Sequence, residues 1–490
     1  MRRHVDCRPI DHGRRINMLG KQRKALPIVR IAVGVVSTFG LVWLVVAAYW
    51  RATFHVPTGT DLAVYGIVLP VALIAVTAWL RDRIRVPHRR DSAAAASTAP
   101  PELPTRDVHP DSSIALLDSS VRLPAGDNAD TVLDTALDGT TAGLHTDLKR
   151  ADGSGVFAAA VTSISVPSFD DSLLPPGVTA DWSNEQRRAL LLAAEAMDDL
   201  LQRHAAAALS NDTRECGVPA FRLHLLVPAR WQAIAQQLGA WLDAHVARNR
   251  WRPGVEAARV VPVANAVQAL SLVDALNLDI NRHPSALRHI VLACESLLDQ
   301  GTVRTLDGTD RLYGRNHLDG CIPGEGACAL LLAHPTEAYA QPVPHLFRVS
   351  VANRDAPVDR FDAQQDDVLH RLIEQTVGQL LASDRETKVS GIVCDTDQRS
   401  SWRTELIGAL ETWRAATPAV APDAAPPMLG LANGESGAAL ALGAIAVAGA
   451  RHLREHQPVL VISNSDSIAR GALLVGSAPT DEDRNHIAGT

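Results

Sequence analysis

Aromatic side chains make up only 4% of this 490-residue chain. That is too few for the stacked ring platform on which single-stranded nucleic acids bind. A basic excess is also missing. Forty-seven Lys and Arg stand against 54 Asp and Glu, a formal charge of −7, and the positive charge that stands out gathers near the N-terminus. A nucleic-acid partner is therefore not expected. Cysteine is sparse: Cys7, Cys216, Cys294, Cys321, Cys328 and Cys394, with no C-x-x-C pair. This excludes a disulfide framework and the ligand spacing of a structural zinc site, so the thiols read as buried and free in a reducing compartment. No metal and no cofactor are expected. What is abundant is apolar surface, 47% of the residues, enough for a large core and against global disorder.

Two long uncharged apolar stretches lie near the start, residues 31–50 and 62–80. A helix of about 20 residues spans roughly 30 Å, the hydrocarbon thickness of a bilayer. Pro70 sits inside the second stretch, where a membrane helix tolerates a kink. Residues 1–30 carry Arg2, Arg3, Arg14, Arg15, Lys21, Arg23, Lys24 and Arg30, and Arg81, Arg83, Arg85, Arg89 and Arg90 follow the second stretch. Between the stretches the only Lys or Arg is Arg51. The positive-inside rule then gives a two-pass anchor in a bacterial inner membrane, with both termini and the main domain cytoplasmic. Residues 81–112 begin basic and become rich in Ala, Ser and Pro without an apolar period, the composition of a linker.

From residue 113 onward, strand and helix patterns alternate. Apolar runs at 155–161, 222–227, 260–263 and 289–293 read as strands. Periodic segments at 185–208, 231–248 and 264–276 read as helices; in the first, Leu190, Leu191, Ala194 and Met197 share one face. The same grammar recurs with strands at 347–351, 389–394, 458–462 and 471–475 and helices at 367–382, 401–413 and 434–453. This order predicts an α/β fold with a largely parallel sheet, built from two halves, 113–346 and 347–479, and a tail, 480–490.

The most specific stretch is Asp319-Gly320-Cys321-Ile322-Pro323-Gly324-Glu325-Gly326-Ala327, which runs into the apolar segment 328–332. A Gly-Glu-Gly turn lets backbone pass where a Cβ would clash. The pattern D-G-x-x-P-G-E-G-A-x-A-L-L-L resembles the end of the N-terminal half of β-ketoacyl synthases, in the thiolase-like superfamily. The resemblance covers roughly 155–479 and takes in the Ala-rich helix 434–453 and the closing segment 461–475. It implies a duplicated thiolase-like layered fold, α-β-α-β-α, behind a two-helix transmembrane hairpin.

Condensation in that family needs a cysteine thiolate at a helix N-terminus and two histidines that stabilise developing charge. The nucleophile's place falls on Ala264 or Asn265, and no cysteine exists between Cys216 and Cys294. The first histidine's place falls in Asp395-Thr396, the supporting lysine's near Met428, and the second histidine's on Asn433. No histidine occurs between His370 and His452. Asn433 reads either as a polar group in a residual pocket or as a helix cap beside Gly434. Asp395 and Asp397 read as solvated carboxylates of a turn, and they would raise rather than lower the pKa of Cys394.

The resemblance thus implies a degenerate ketosynthase without catalytic residues, serving as a binding, scaffold or partner subunit. Its relatives imply a homodimer or a heterodimer with another thiolase-fold protein, and an acyl carrier protein as a possible partner. Three roles stay open: a chain-length-factor-like partner in acyl-chain synthesis, an adaptor holding a secretion-system component beneath the membrane, and an acyltransferase with a different site.

Overall fold

The computed structural model describes residues 112–174, 182–210, 221–249, 254–335, 342–359, 367–383, 389, 391–418 and 425–478. The predicted transmembrane stretches 31–50 and 62–80, the segment 1–30, nearly all of the linker and the tail 480–490 lie outside these residues. Among the described residues no helix is long and apolar enough to cross a membrane.

The strands are β1 (Ile114–Arg122), β2 (Gly143–Lys149), β3 (Gly155–Ala158), β4 (Phe221–Pro228), β5 (Arg259–Val263), β6 (Arg288–Ser296), β7 (Glu325–Ala333), β8 (His345–Leu346), β9 (Ser350–Asn353), β10 (Gly391–Cys394), β11 (Val459–Ser463) and β12 (Ala469–Gly476). The helices are α1 (Ala129–Leu137), α2 (Asn184–Ser210), α3 (Ala235–Arg248), α4 (Ala266–Arg282), α5 (Gln300–Gly308), α6 (Val368–Ser383), α7 (Ser400–Ala416), α8 (Gly430–Asn433) and α9 (Gly437–Glu455). Ten strands form one sheet in the order β10-β11-β12-β8-β1-β7-β6-β4-β5, with β9 added beside β12. The short β8 pairs with both β1 and β12 and so stitches the two halves together.

Strand periodicity sorts the core into layers, because successive side chains point to opposite faces. On β6, Val291 and Ala293 join the cluster around α4 and α9, while Ile290, Leu292 and Cys294 join the cluster around α2 and α3. On β11 and β12, Val459, Val461, Leu473 and Val475 face α4 and α9, and Leu460, Ile462, Ala472 and Leu474 face α6 and α7. The order is therefore α2/α3, sheet half, α4/α9, sheet half, α6/α7, the α-β-α-β-α layering expected. The middle layer is closed because α9 is buried along most of its length, with Ala, Gly, Leu, Ile and Val as its inward residues.

Three expectations are corrected. The sheet is mixed: only β4–β5, β4–β6 and β10–β11 run parallel within it. The run at 155–161 is not the first central strand; β3 pairs with β2 in a separate two-stranded sheet. The first central strand is β1, hidden in the sequence by Asp118, Ser119 and Ser120 next to a register shift. Asp118 stays satisfied there because Arg203 and His204 of α2 bind it at 2.8 and 2.6 Å. Of the strand read at 347–351, only 350 and 351 lie in a strand, the start of β9, while 347–349 link it to β8.

Candidate functional site

The predicted nucleophile position sits where β5 hands over to α4. Asn265 is the N-cap, in extended conformation, and its Oδ1 accepts from the Gln268 backbone N–H at 3.0 Å. Gln268 reaches back and accepts from the Ala264 N–H at 2.7 Å. This reciprocal cap uses backbone donors that the helix start would otherwise present to a ligand. The carboxamide of Asn265 is thus committed to holding α4 in place.

The second half supplies the facing wall through a close crossing of two turns. Gly324 N donates to Glu435 O at 3.1 Å, and Glu435 N donates to Ile322 O at 2.8 Å. A Cβ on Gly324 would stand 2.1 Å from the Asn433 carbonyl oxygen. Gly434 adopts φ +61°, and a Cβ there would stand 2.7 Å from the Ile322 oxygen. The two glycines are therefore needed where the halves touch backbone to backbone.

Glu325, between the two motif glycines, is fully buried. Arg188 of α2 binds both its oxygens, at 2.7 and 2.5 Å. Val161 N–H and Ser296 Oγ–H donate to it at 2.8 and 3.2 Å. The hydrogen bond and charge of Glu325 hold the Arg188 guanidinium above its ordinary pKa, against partial burial. Gly326 lies against Leu123. The motif is a structural clamp across β7, α2 and the segment after β3.

Asn433 is buried and does not cap α9, contrary to the simpler of its two readings. Its Oδ1 accepts from Ala125 N–H at 2.9 Å and its Nδ2 donates to Leu429 O at 2.8 Å. Ser436 occupies the N-cap of α9 without a side-chain cap. Met428, half-buried, forms a backbone bridge to Cys394 and packs against the α6/α7 cluster. No cation stands at that position.

Asp395 and Asp397 are also corrected: they are 1% and 3% exposed. Asp395 takes hydrogen bonds from Ser463 Oγ at 2.5 Å, Asn464 N at 2.9 Å, and Ser465 N and Oγ at 3.2 and 2.9 Å. Burial nonetheless raises its pKa, with those hydrogen bonds opposing. Thr396 Oγ1 donates to Asn464 Oδ1 at 2.5 Å. Asp397 binds Arg399 at 2.7 Å, and that guanidinium stacks 4.2 Å over Trp402. These residues lock the end of β10 to the loop between β11 and β12.

A cavity of about 250 Å³ opens between the halves. It gathers Ala264 and Asn265 with Arg230, Glu295, Glu435 and Asp466. Asp395, Thr396, Met428, Asn433 and the motif Gly324-Glu325-Gly326 are not among its lining residues, and neither is any cysteine or histidine. The four described thiols are buried; burial pushes Cys294 and Cys394 up to about 12 and raises Cys321 and Cys328 as well. Thiols so raised are poor nucleophiles near neutral pH.

Sequence reasoning missed Arg230, Glu295 and Glu435. Arg230 binds Glu295 at 2.5 Å and donates to Ser296 O at 2.9 Å. Burial raises the Glu295 pKa; Arg230 opposes this, and Glu435 and Glu185 add to it. The available signal was a glutamate directly after the apolar run 290–294 of β6, since a charge there needs a partner.

No family model and no curated protein matches the chain. Solved structures do. A type II polyketide-synthase ketosynthase, in complex with its acyl-carrier protein and bound to the hexaketide, is 11% identical; the match covers 75% of this chain and 100% of that one, at a TM-score of 0.52. The ketosynthase from module 6 of the bacillaene synthase of Bacillus subtilis 168 is 13% identical, over 75% of this chain and 72% of that one, at a TM-score of 0.51. With the layering and the crossed glycine turns, these likenesses establish that the chain has the thiolase-like fold of the ketosynthases.

Proposed function

We propose that this protein is a non-catalytic, ketosynthase-like subunit, anchored to the bacterial inner membrane by residues 31–80, that works by binding a partner from the cytoplasmic side. The observation that carries the reading is the cavity between the halves. Where condensation needs a thiolate and two imidazoles, it offers a capped helix start at Asn265, an ion pair and further carboxylates. A carboxamide forms no acyl-enzyme, and nothing lining the cavity supplies the imidazole pair. Meanwhile the contacts that hold the two halves together are intact, so selection on the scaffold is the simplest account of the chain.

The partner in this reading is a thiolase-fold protein, a second copy or a relative. β5 is an end strand of the ten-stranded sheet, with Val260, Val261 and Pro262 half-buried. An open strand edge is a template for pairing with another chain. The ketosynthase relative solved with its acyl-carrier protein supports an acyl carrier as the second candidate. The test is tagged co-purification from native membranes with mass spectrometry. Recovery of a ketosynthase or an acyl carrier protein supports the reading. Recovery of secretion components alone moves the scaffold to an adaptor role, and purified protein that condenses acyl groups refutes the non-catalytic assignment.

A further inference from the structure

The chain enters its fold at one end of the sheet's N-terminal half. β1 and β6 both run antiparallel to β7, and β4 and β5 run parallel to β6. The first residues of these four strands therefore share an end. α4, which leads from β5 into β6, finishes there too. Asn277 and Asn281, in the C-terminal part of α4, donate to the carbonyls of Ser112 and Ser113 at 3.2 and 3.0 Å. The point where the chain passes into β1 is thus fixed beside the C-terminus of α4.

That end is basic. Arg222, Arg259 and Arg288 stand at the starts of β4, β5 and β6, and Arg282 closes α4 with His283 as its C-cap. Carboxylates lie among them. Glu256, half-buried, binds Arg222 at 2.8 Å and Arg259 at 3.4 Å. Asp243 of α3, also half-buried, accepts from the Ala258 N–H at 2.9 Å. Asp279 is exposed, 3.2 Å from His283. Arg259, Arg282 and His283 are exposed as well, and so is the segment Pro284-Ser285-Ala286 that follows, which is small and carries no acid. The outer layer therefore presents two guanidiniums and an imidazole against one carboxylate, next to the entry of the chain.

We propose that this end of the domain docks on an anionic phospholipid surface, the leaflet to which the same chain is anchored. The inference rests on the proposed anchor at residues 31–80. Guanidinium groups match phosphate with paired hydrogen bonds. Each basic residue near an anionic leaflet adds about fivefold to binding. An excess of one to two such charges then favours docking by roughly 5- to 25-fold. Tethering makes the encounter intramolecular, so a contact too weak to recruit a free protein is populated. Nucleic acid would recognise the same charges, but nothing brings it to the entry of the chain.

The test is hydrogen–deuterium exchange of the full-length protein in nanodiscs of phosphatidylcholine alone or mixed with phosphatidylglycerol. Exchange across residues 279–288 should slow by about fivefold or more in the anionic discs. The protection should vanish in molar salt, where the Debye length falls to about 3 Å. Arg259→Glu combined with Arg282→Glu should abolish it, with unchanged exchange in β7 as the check on folding. Arg403→Glu, at an exposed position of α7, should leave it intact. Equal exchange in both lipids, protection that survives the double variant, or protection gained only from added nucleic acid would overturn the proposal. Alkaline extraction of native membranes separates this inference from the reading beneath it. A chain that washes off defeats the anchor and the docking with it; a chain that stays in the membrane but exchanges equally in both lipids defeats the docking alone.

Discussion

Removing the carboxylate of Glu325 should be among the most damaging single changes in the described part of the chain. Glu325 is 0% exposed and receives Arg188 through two hydrogen bonds, plus Val161 N–H and Ser296 Oγ–H. In Glu325→Ala the Arg188 guanidinium, with a side chain 16% exposed, loses its countercharge. Breaking a buried ion pair from one side costs about 3–5 kcal/mol. The orphaned Val161 N–H adds about 1 kcal/mol or more. The total, roughly 5 kcal/mol, rivals the entire stability of many domains. Urea denaturation followed by tryptophan fluorescence measures it. A double-mutant cycle with Arg188→Met separates the pair from the packing: the double variant should be more stable than the sum of the single losses by about 2 kcal/mol or more. Loss below about 1 kcal/mol in Glu325→Ala, or strict additivity in the cycle, would refute the clamp.

Other outcomes follow from the same structure. Gly324→Ala puts a Cβ 2.1 Å from the Asn433 carbonyl, so it should destabilise by about 2 kcal/mol or more, seen as a lower urea midpoint. His224 and His289 are buried and stacked, Nε2 to Nδ1 at 3.2 Å. Burial lowers both from 6.5 to about 4, with the neighbouring ring adding for His224 and Arg222 for His289. Their neutral state is kept in the fold while the unfolded chain takes up protons near 6.5, so stability is full above that pH and is lost as pH falls toward 4. The scale is roughly 3 kcal/mol for the first proton, and thermal unfolding across that window should show it, with His289→Gln flattening the curve. Asn265→Cys places a thiol at the α4 N-terminus, where the helix dipole lowers its pKa. It should react readily with iodoacetamide yet give no condensation, because no histidine lines the cavity.

Much of the fold was legible because its strands are short, continuous apolar runs. β6, β7 and β11 are buried at every position or nearly so and show it in their letters. α4 announces itself through Asn265 and Gln268, whose types are those of a cap and its reciprocal partner. β1 was illegible because Asp118, Ser119 and Ser120 are satisfied by α2, far away in sequence. Asp395 misled for the same reason: its hydrogen-bond donors lie 68 to 70 residues downstream. The lack of a cysteine between Cys216 and Cys294 and of a histidine between His370 and His452 was visible. The ion pairs that occupy the cavity were not, because Arg230, Glu295 and Glu435 meet only when three separate segments fold together.

The measurement that bears most directly on the central claim is intact-protein mass spectrometry of the purified full-length chain after incubation with acyl-carrier-bound and coenzyme-A-bound acyl donors, followed by malonyl donor and assay for carbon dioxide. A protein without an acyl acceptor keeps its mass and releases no carbon dioxide above the rate of the donor alone. A stoichiometric acyl adduct, or decarboxylation that depends on the protein, would contradict the account and place a catalytic site in this fold.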